Sequence, residues 1–222
     1  LLFATCHVAV ADNLSQNFNS WPDLPLYDFG NYADGNGWYI SDGLVDGGVY
    51  IVPYSVNSAL LNSYTAPGKT YLRTPRLTYG IGKISFYVAN DVADASFAIQ
   101  TATATNGPWS TVNTFLHDGD IWTFKTFTIN DYGTGIYVRI LKTADAGSLS
   151  GFDNVVITNP PAKVAFANPR TSPSPAYAER TTHLLCDITP LGIANGLVVT
   201  SYWKVGSGLW TGIKMSKQIV GN

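Results

Sequence analysis

Between residues 12 and 158 the chain is a succession of short runs in which apolar and polar side chains alternate, each closed by turn-forming residues. An alternation of period two puts every second side chain on one face of an extended strand. The runs fall at residues 14–21, 37–41, 49–54, 58–61, 83–89, 96–103, 111–116, 122–129, 136–141 and 151–158. Val, Ile, Thr, Tyr, Phe and Trp dominate them, the residues that suit a pleated, half-buried surface. Between them stand Asp34-Gly35, Asn36-Gly37, Asp42-Gly43, Asp46-Gly47, Asn106-Gly107 and Asp118-Gly119, all turn dipeptides. No stretch of useful length carries the 3.6-residue period of a helix. The pattern predicts an all-β sandwich, and the number and spacing of its strands point to a jelly roll.

Asn159-Pro160-Pro161 ends the last run, because proline has no N–H to give to a sheet ladder. Charge changes sign at the same place. Residues 12–160 hold 7 Lys plus Arg against 13 Asp, whereas residues 161–222 hold 6 Lys plus Arg against 2 Asp plus Glu. The second stretch predicts a proline-stiffened segment with Pro169, Pro173 and Pro175, then strands near 181–188, 197–205 and 209–215. That is fewer strands than the roughly seven of a complete immunoglobulin-like sandwich. A partial domain of that kind over 161–222 is the expectation. Residues 1–11, LLFATCHVAVA, are apolar and end in Ala9-Val10-Ala11 before Asp12. Small-x-small after an apolar segment reads as the tail of a signal peptide; a buried first strand is the alternative. Removal of that segment leaves Cys186 as the one thiol, so no disulfide framework is expected.

Composition narrows the function classes. Charged residues are 13% of the chain, the net charge is −2, and no basic cluster stands out. Nucleic acid is therefore not an expected partner. No apolar run reaches the ~18 residues of a membrane-spanning helix. The 222 residues include one Glu, Glu179, so residues 12–160 could supply only Asp pairs for glycoside hydrolysis. His117-Asp118 has no nucleophile elbow to serve, and catalysis is not expected.

Aromatic residues are 13% of the chain. A flat ring offers the C–H face of a sugar an apolar surface, while nearby polar groups bond its hydroxyls. Trp38 and Tyr39 follow a Gly/Asp/Asn turn, Trp109 follows Asn106-Gly107-Pro108 at a hairpin tip, and Arg73 lies in a small basic spot, Arg73-Thr74-Pro75-Arg76. These four are the candidate carbohydrate-binding residues, with core or rim packing as the alternative for each Trp. Calcium is the second candidate ligand, since Asp28, Asp34, Asp42, Asp46 and Asp153 stand near Gly-rich turns. Asp also initiates turns through its own side chain, which accounts for most of them.

Several motifs recur in order: Asn17-Phe18, Gly37-Trp38-Tyr39-Ile40, the run from Tyr71 to Leu77, Gly80-Ile81-Gly82-Lys83-Ile84-Ser85-Phe86-Tyr87, Asn106 to Val112, Val138-Arg139-Ile140 and Phe152-Asp153-Asn154-Val155. This order resembles bacterial extracellular jelly-roll modules of the concanavalin-like, MAM-like and carbohydrate-binding kind. The resemblance spans about residues 14–158. It implies a non-catalytic module of a larger secreted or cell-surface protein, with further domains in the same polypeptide. Its expected partner is a polysaccharide or surface glycan; adhesion or spacing is the alternative, and an Asp-based polysaccharide hydrolase the third reading. In related jelly rolls a structural calcium bridges the first and last strands. Carried over, that implies Asp153 as a ligand, with Asn17 from an opening strand that offers Gln16, Asn17 and Asn19 but no carboxylate. Residues 163–222 resemble immunoglobulin- or fibronectin-like units of bacterial surface proteins through Pro173-Ser174-Pro175, the run from Leu184 to Thr189, and the run from Tyr202 to Trp210.

Overall fold

The computed structural model describes residues 3–7, 14–22, 28–48, 54–62, 68–91, 94–145, 147–161, 163–172, 183–191, 198–203 and 211–214. Among them are strands, turns and loops, with no helix. The chain divides into two units, residues 12–160 and a second made of 1–11 with 161–222.

The larger unit contains β2 (Leu14–Gln16), β3 (Gly30–Ala33), β4 (Tyr39–Asp46), β5 (Ser58–Leu61), β6 (Tyr71–Arg73) and β7 (Ile81–Asn90). These are followed by β8 (Ala95–Ala102), β9 (Ser110–His117), β10 (Thr123–Asp131), β11 (Tyr137–Asp145) and β12 (Ser150–Thr158). They form one sheet in the order β10-β7-β12-β5-β4-β6-β11-β8-β9, with β2 added to β12 and β3 to β4. The sheet folds over on itself, so that inward side chains of β7, β10 and β12 meet those of β8 and β9. Phe86 and Phe152 stand at the centre of this contact. The Phe86 ring lies 5.5 Å from Phe115 and 6.0 Å from Phe127, and Phe152 lies 5.3 Å from Phe97. Rings at such distances add about 0.5–1.5 kcal/mol per pair beyond the area they bury. Ile40, Val45, Leu61, Leu72, Ile84, Val88, Ile99, Val138 and Ile140 complete the buried cluster. The all-β sandwich expected from the alternation is therefore the fold of this unit.

Two departures from the sequence reading have physical causes. The first run was expected to continue to residue 21, but β2 stops at Gln16. Gln16 Oε1 accepts the N–H of Phe18 at 2.9 Å, and Phe18 turns into the left-handed region at φ 59° with its ring fully buried. Backbone strain of this kind costs about 1–3 kcal/mol, and the burial of a whole phenyl ring is of comparable size. Asp42-Gly43, expected as a turn, lies inside β4. The glycine is there because β5 passes close by: a Cβ on it would sit 2.3 Å from the Leu60 carbonyl oxygen. The short strands β3 and β6 were not foreseen. Of the expected strand at 49–54, residues 49–53 lie outside the described residues.

The second unit holds β1 (Phe3–His7), β13 (Lys163–Ser172), β14 (His183–Leu191), β15 (Val198–Trp203) and β16 (Thr211–Lys214). β13 pairs with β14, and β15 lies between β1 and β16. Residues 163–172 were read as a proline-stiffened segment but form β13. The ladder tolerates Pro169 because its register shifts between Ala167 and Arg170. Phe3–His7 pair antiparallel with β15. The immunoglobulin-like resemblance of residues 163–222 rests on sequence alone.

Candidate functional site

Adjacent residues of a strand face opposite sides of a sheet, and this separates the two candidates next to each other at the start of β4. Trp38 points inward and is 2% exposed. Its ring meets Phe18 edge-on at 6.5 Å. No sugar can stack on a buried ring, so Trp38 is a core residue and its assignment to the binding set is corrected. The turn before it is held by Asp34, whose Oδ1 accepts N–H groups from Asn36 at 3.0 Å and Trp38 at 2.8 Å. That is the Asp turn role rather than a metal role.

Tyr39 points the other way, and the neighbouring strands extend its row. The ladder places Tyr39 of β4 opposite Arg73 of β6, Arg73 opposite Arg139 of β11, and Arg139 opposite Gln100 of β8. Gln100 is in turn opposite Thr111 of β9. Five adjacent strands at about 4.8 Å spacing make this row roughly 19 Å long. The Arg73 guanidinium carbon lies 4.7 Å from the centre of the Tyr39 ring and 5.5 Å from that of Tyr137. The Arg139 carbon lies 4.2 Å from the centre of Trp109 and 5.0 Å from that of Tyr71. Tyr137 and Tyr71 sit two residues from the directly paired arginines, the diagonal neighbours in an antiparallel ladder. Each cation–ring contact is worth about 0.5–2 kcal/mol, more as water is excluded.

Hydrogen bonds fix the far end of the row. Arg139 Nε donates to Gln100 Oε1 at 2.7 Å, and Gln100 Nε2 donates to Thr111 Oγ1 at 2.9 Å. Burial lowers the Arg139 pKa from its usual value. Arg73 Nε is buried with no hydrogen-bond partner. The residues of the row from Tyr39 to Gln100, and Trp109, Tyr71 and Tyr137 beside it, are all partly exposed. The structure thus brings three of the four candidate sugar-binding residues, Tyr39, Arg73 and Trp109, to one outer face. It adds Tyr71, Tyr137, Arg139 and Gln100, which the sequence reading missed. The signal was present as two copies of one pattern, Tyr71-Leu72-Arg73 and Tyr137-Val138-Arg139, each with an apolar residue turned inward between two outward ones.

A separate aromatic strip lies on the outer side of β7 and β10. Tyr54 stacks on Tyr87 at 3.7 Å, and Phe124 stands opposite Tyr87 with its ring 5.2 Å away. Tyr54 is 47% and Phe124 53% exposed.

The two residues expected as calcium ligands, Asn17 and Asp153, each take part in hydrogen bonds within the protein. Asn17 is exposed, and its Oδ1 accepts the N–H of Asn19 at 3.3 Å. Asn19 bonds to the loop at residues 55–57. Its Oδ1 lies 2.8 Å from Ser55 Oγ and accepts the N–H groups of Val56 and Asn57. Asp153 is fully buried. Its Oδ2 accepts the Ser55 N–H at 2.9 Å and stands 2.7 Å from Ser55 Oγ, while its Oδ1 accepts the Asn154 N–H at 2.6 Å. Burial raises the Asp153 pKa, and the bonds from Ser55 and Asn154 oppose that rise. A calcium ion takes six to eight oxygen ligands and favours several carboxylates. Here one carboxylate faces N–H donors, and no group of three His, Cys, Asp or Glu side chains that could hold a metal occurs among the described residues. Asp153, Ser55 and Asn19 together form a hydrogen-bonded lock.

His117 is buried with Nε2 lacking a hydrogen-bond partner. Burial first, then the Lys125 charge, lowers its pKa from the usual value.

No protein-family model matches the sequence, and no curated protein matches it. Among solved structures, the K2 cleaved adhesin domain of Lys-gingipain is similar at TM-score 0.50 and 15% identity, over 66% of this chain and 99% of that one. The K1 cleaved adhesin domain of Lys-gingipain from Porphyromonas gingivalis W83 reaches TM-score 0.46 and 20% identity, over 66% and 98%. The CBM22-1 xylan-binding domain from Paenibacillus barcinonensis Xyn10C reaches 0.46 and 17%, over 69% and 98%. At 15% identity the likeness to the K2 adhesin domain is one of fold alone, a shared β-sandwich. No helix among the described residues is long and apolar enough to cross a membrane.

Proposed function

We propose that residues 12–160 form a non-catalytic carbohydrate-binding module of a secreted or cell-surface protein, and that the glycan lies across the row of Tyr39, Arg73, Arg139 and Trp109. The observation that carries this reading is the row itself. Four aromatic rings and two guanidinium groups share one outer face of a rigid sheet, with Gln100 beside them. Rings offer sugar C–H groups an apolar surface, and the free N–H groups of the arginines and the glutamine suit hydroxyl oxygens. Placement of Tyr39, Arg73, Arg139 and Gln100 on strands holds these groups in position before any ligand arrives, which lowers the ordering cost of binding. Each ring contributes on the order of 1 kcal/mol, scaled from aromatic pairs, so a single site binds weakly and linked copies would gain by avidity.

The test is a glycan array probed with the full chain, repeated with Trp109→Ala and Tyr39→Ala. Selective binding that weakens about fivefold in each variant is expected, the equivalent of ~1 kcal/mol per ring. Binding indifferent to both changes would place the site elsewhere.

A second reading, a protein-contact or adhesive role, is favoured by the exposed strip of Tyr54, Tyr87 and Phe124. A blank array together with ordered self-assembly in electron micrographs would favour it.

A further inference from the structure

Arg73 and Arg139 are directly opposite each other on neighbouring strands. Like charges in that position destabilise a sheet by about 0.2–1 kcal/mol. A carboxylate between them would remove the penalty, yet among the described residues neither guanidinium has one. Arg73 touches the rings of Tyr39 and Tyr137; Arg139 touches those of Tyr71 and Trp109 and the amide oxygen of Gln100. The surrounding unit is not short of acids, with 13 Asp against 7 Lys plus Arg. Its negative charge is simply not deployed here. Burial, with no carboxylate acting against it, depresses the Arg139 pKa. Arg73 Nε remains a buried donor without an acceptor.

A guanidinium whose face is stacked on a ring turns its N–H edge toward a ligand. That edge matches the two oxygens of a carboxylate better than it matches a single hydroxyl. A neutral sugar would leave the two charges facing each other. A sugar acid would place one negative charge between them and offset their repulsion.

We propose that the row selects an anionic glycan, and that Arg73 and Arg139 together receive the carboxylate of a uronic acid residue while Trp109 and Tyr39 hold the ring or its neighbours. This proposal rests on the row being the glycan-binding face.

The experiment titrates the full chain with polygalacturonate, alginate and hyaluronan, with fully methyl-esterified polygalacturonate, with neutral xylan and with dextran sulfate. Methyl esterification keeps the sugar backbone and removes its charge, so the central comparison needs only the wild-type protein. At least tenfold weaker binding of the ester than of the acid is expected, with affinity for the acid falling as salt rises. Arg73→Gln and Arg139→Gln should each abolish the preference, and Arg73→Lys should restore part of it, since lysine returns the charge without the planar fork. Equal binding of acid and ester overturns the proposal, as does a preference that survives both Gln variants. Tighter binding of dextran sulfate than of all three uronates overturns the assignment of carboxylate. Binding of xylan that Trp109→Ala weakens, with no uronate preference, overturns the anion proposal and leaves the binding face standing. Binding to none of the polymers overturns the binding face itself.

Discussion

Trp38 and Trp109 should respond in opposite ways to the same substitution. Trp38 is enclosed in the core beside Phe18, and truncating a buried Trp to Ala costs about 3–5 kcal/mol in lost transfer energy and cavity formation. Trp109 is partly exposed, and its one described ring contact is the Arg139 guanidinium at 4.2 Å. Its loss removes a cation–ring contact worth about 0.5–2 kcal/mol. In urea, with a slope near 2 kcal/mol per molar, Trp38→Ala should shift the unfolding midpoint down by about 2 M and Trp109→Ala by less than about 1 M. Glycan affinity should divide the other way: Trp109→Ala about fivefold weaker, and Trp38→Ala unchanged under conditions where it remains folded. Circular dichroism in urea measures the first quantity and calorimetric titration the second. A Trp38→Ala protein of near wild-type stability that has lost binding would refute the inward assignment of Trp38 and the alternation behind it.

Gly43→Ala should destabilise the unit by about 2 kcal/mol or more, because the new Cβ would meet the Leu60 backbone of β5 as well as the buried Ile40 side chain, whereas Gly35→Ala opens onto free space and should stay within about 0.5 kcal/mol. His117 has a folded-state pKa below its usual 6.5, so as pH falls through 6.5 the unfolded chain takes up a proton that the fold refuses. Stability should therefore drop between pH 7 and 5 and level off below the depressed value, and His117→Gln should flatten that slope. Asp153 has the opposite sign: its raised pKa means that stability declines as pH rises from about 3.9 through the raised value, a trend Asp153→Asn should remove in denaturant titrations at stepped pH. Chelation should leave the melting temperature unchanged; a rise of several degrees on adding millimolar calcium would contradict the hydrogen-bonded lock at Asp153.

Much of the sandwich was legible because period-two alternation survives wherever a strand buries one face. β5, β7, β8, β9, β10 and β12 fall within a few residues of the runs that announced them. The three-residue β6 is too short to show a period, although it carries Tyr71 and Arg73 to the site. Alternation states that Trp38 and Tyr39 face opposite sides; it does not state which of them faces the core. That choice is made by Phe18, whose left-handed turn brings its ring against Trp38 from 20 residues earlier, a contact with no local signature. Arg139 was visible as part of a familiar motif but not as a site residue, because its role depends on the pairing of β11 with both β6 and β8. The lock of Asp153 with Ser55 and Asn19 was out of reach for a similar reason. Asn17 and Asn19 have the same period-two parity, and only the loop carrying Ser55 distinguishes them.

The central claim, that the glycan lies on the Tyr39–Arg73–Arg139–Trp109 face, is tested most directly by nuclear magnetic resonance of the full chain. Its six tryptophans give six indole N–H signals, assigned by single Trp→Phe substitutions and followed as an array-selected oligosaccharide is added. The account predicts that the Trp109 signal shifts progressively to saturation while those of Trp38 and Trp122 stay in place. A shift of Trp122, beside the Tyr54 strip, with Trp109 unmoved would contradict it.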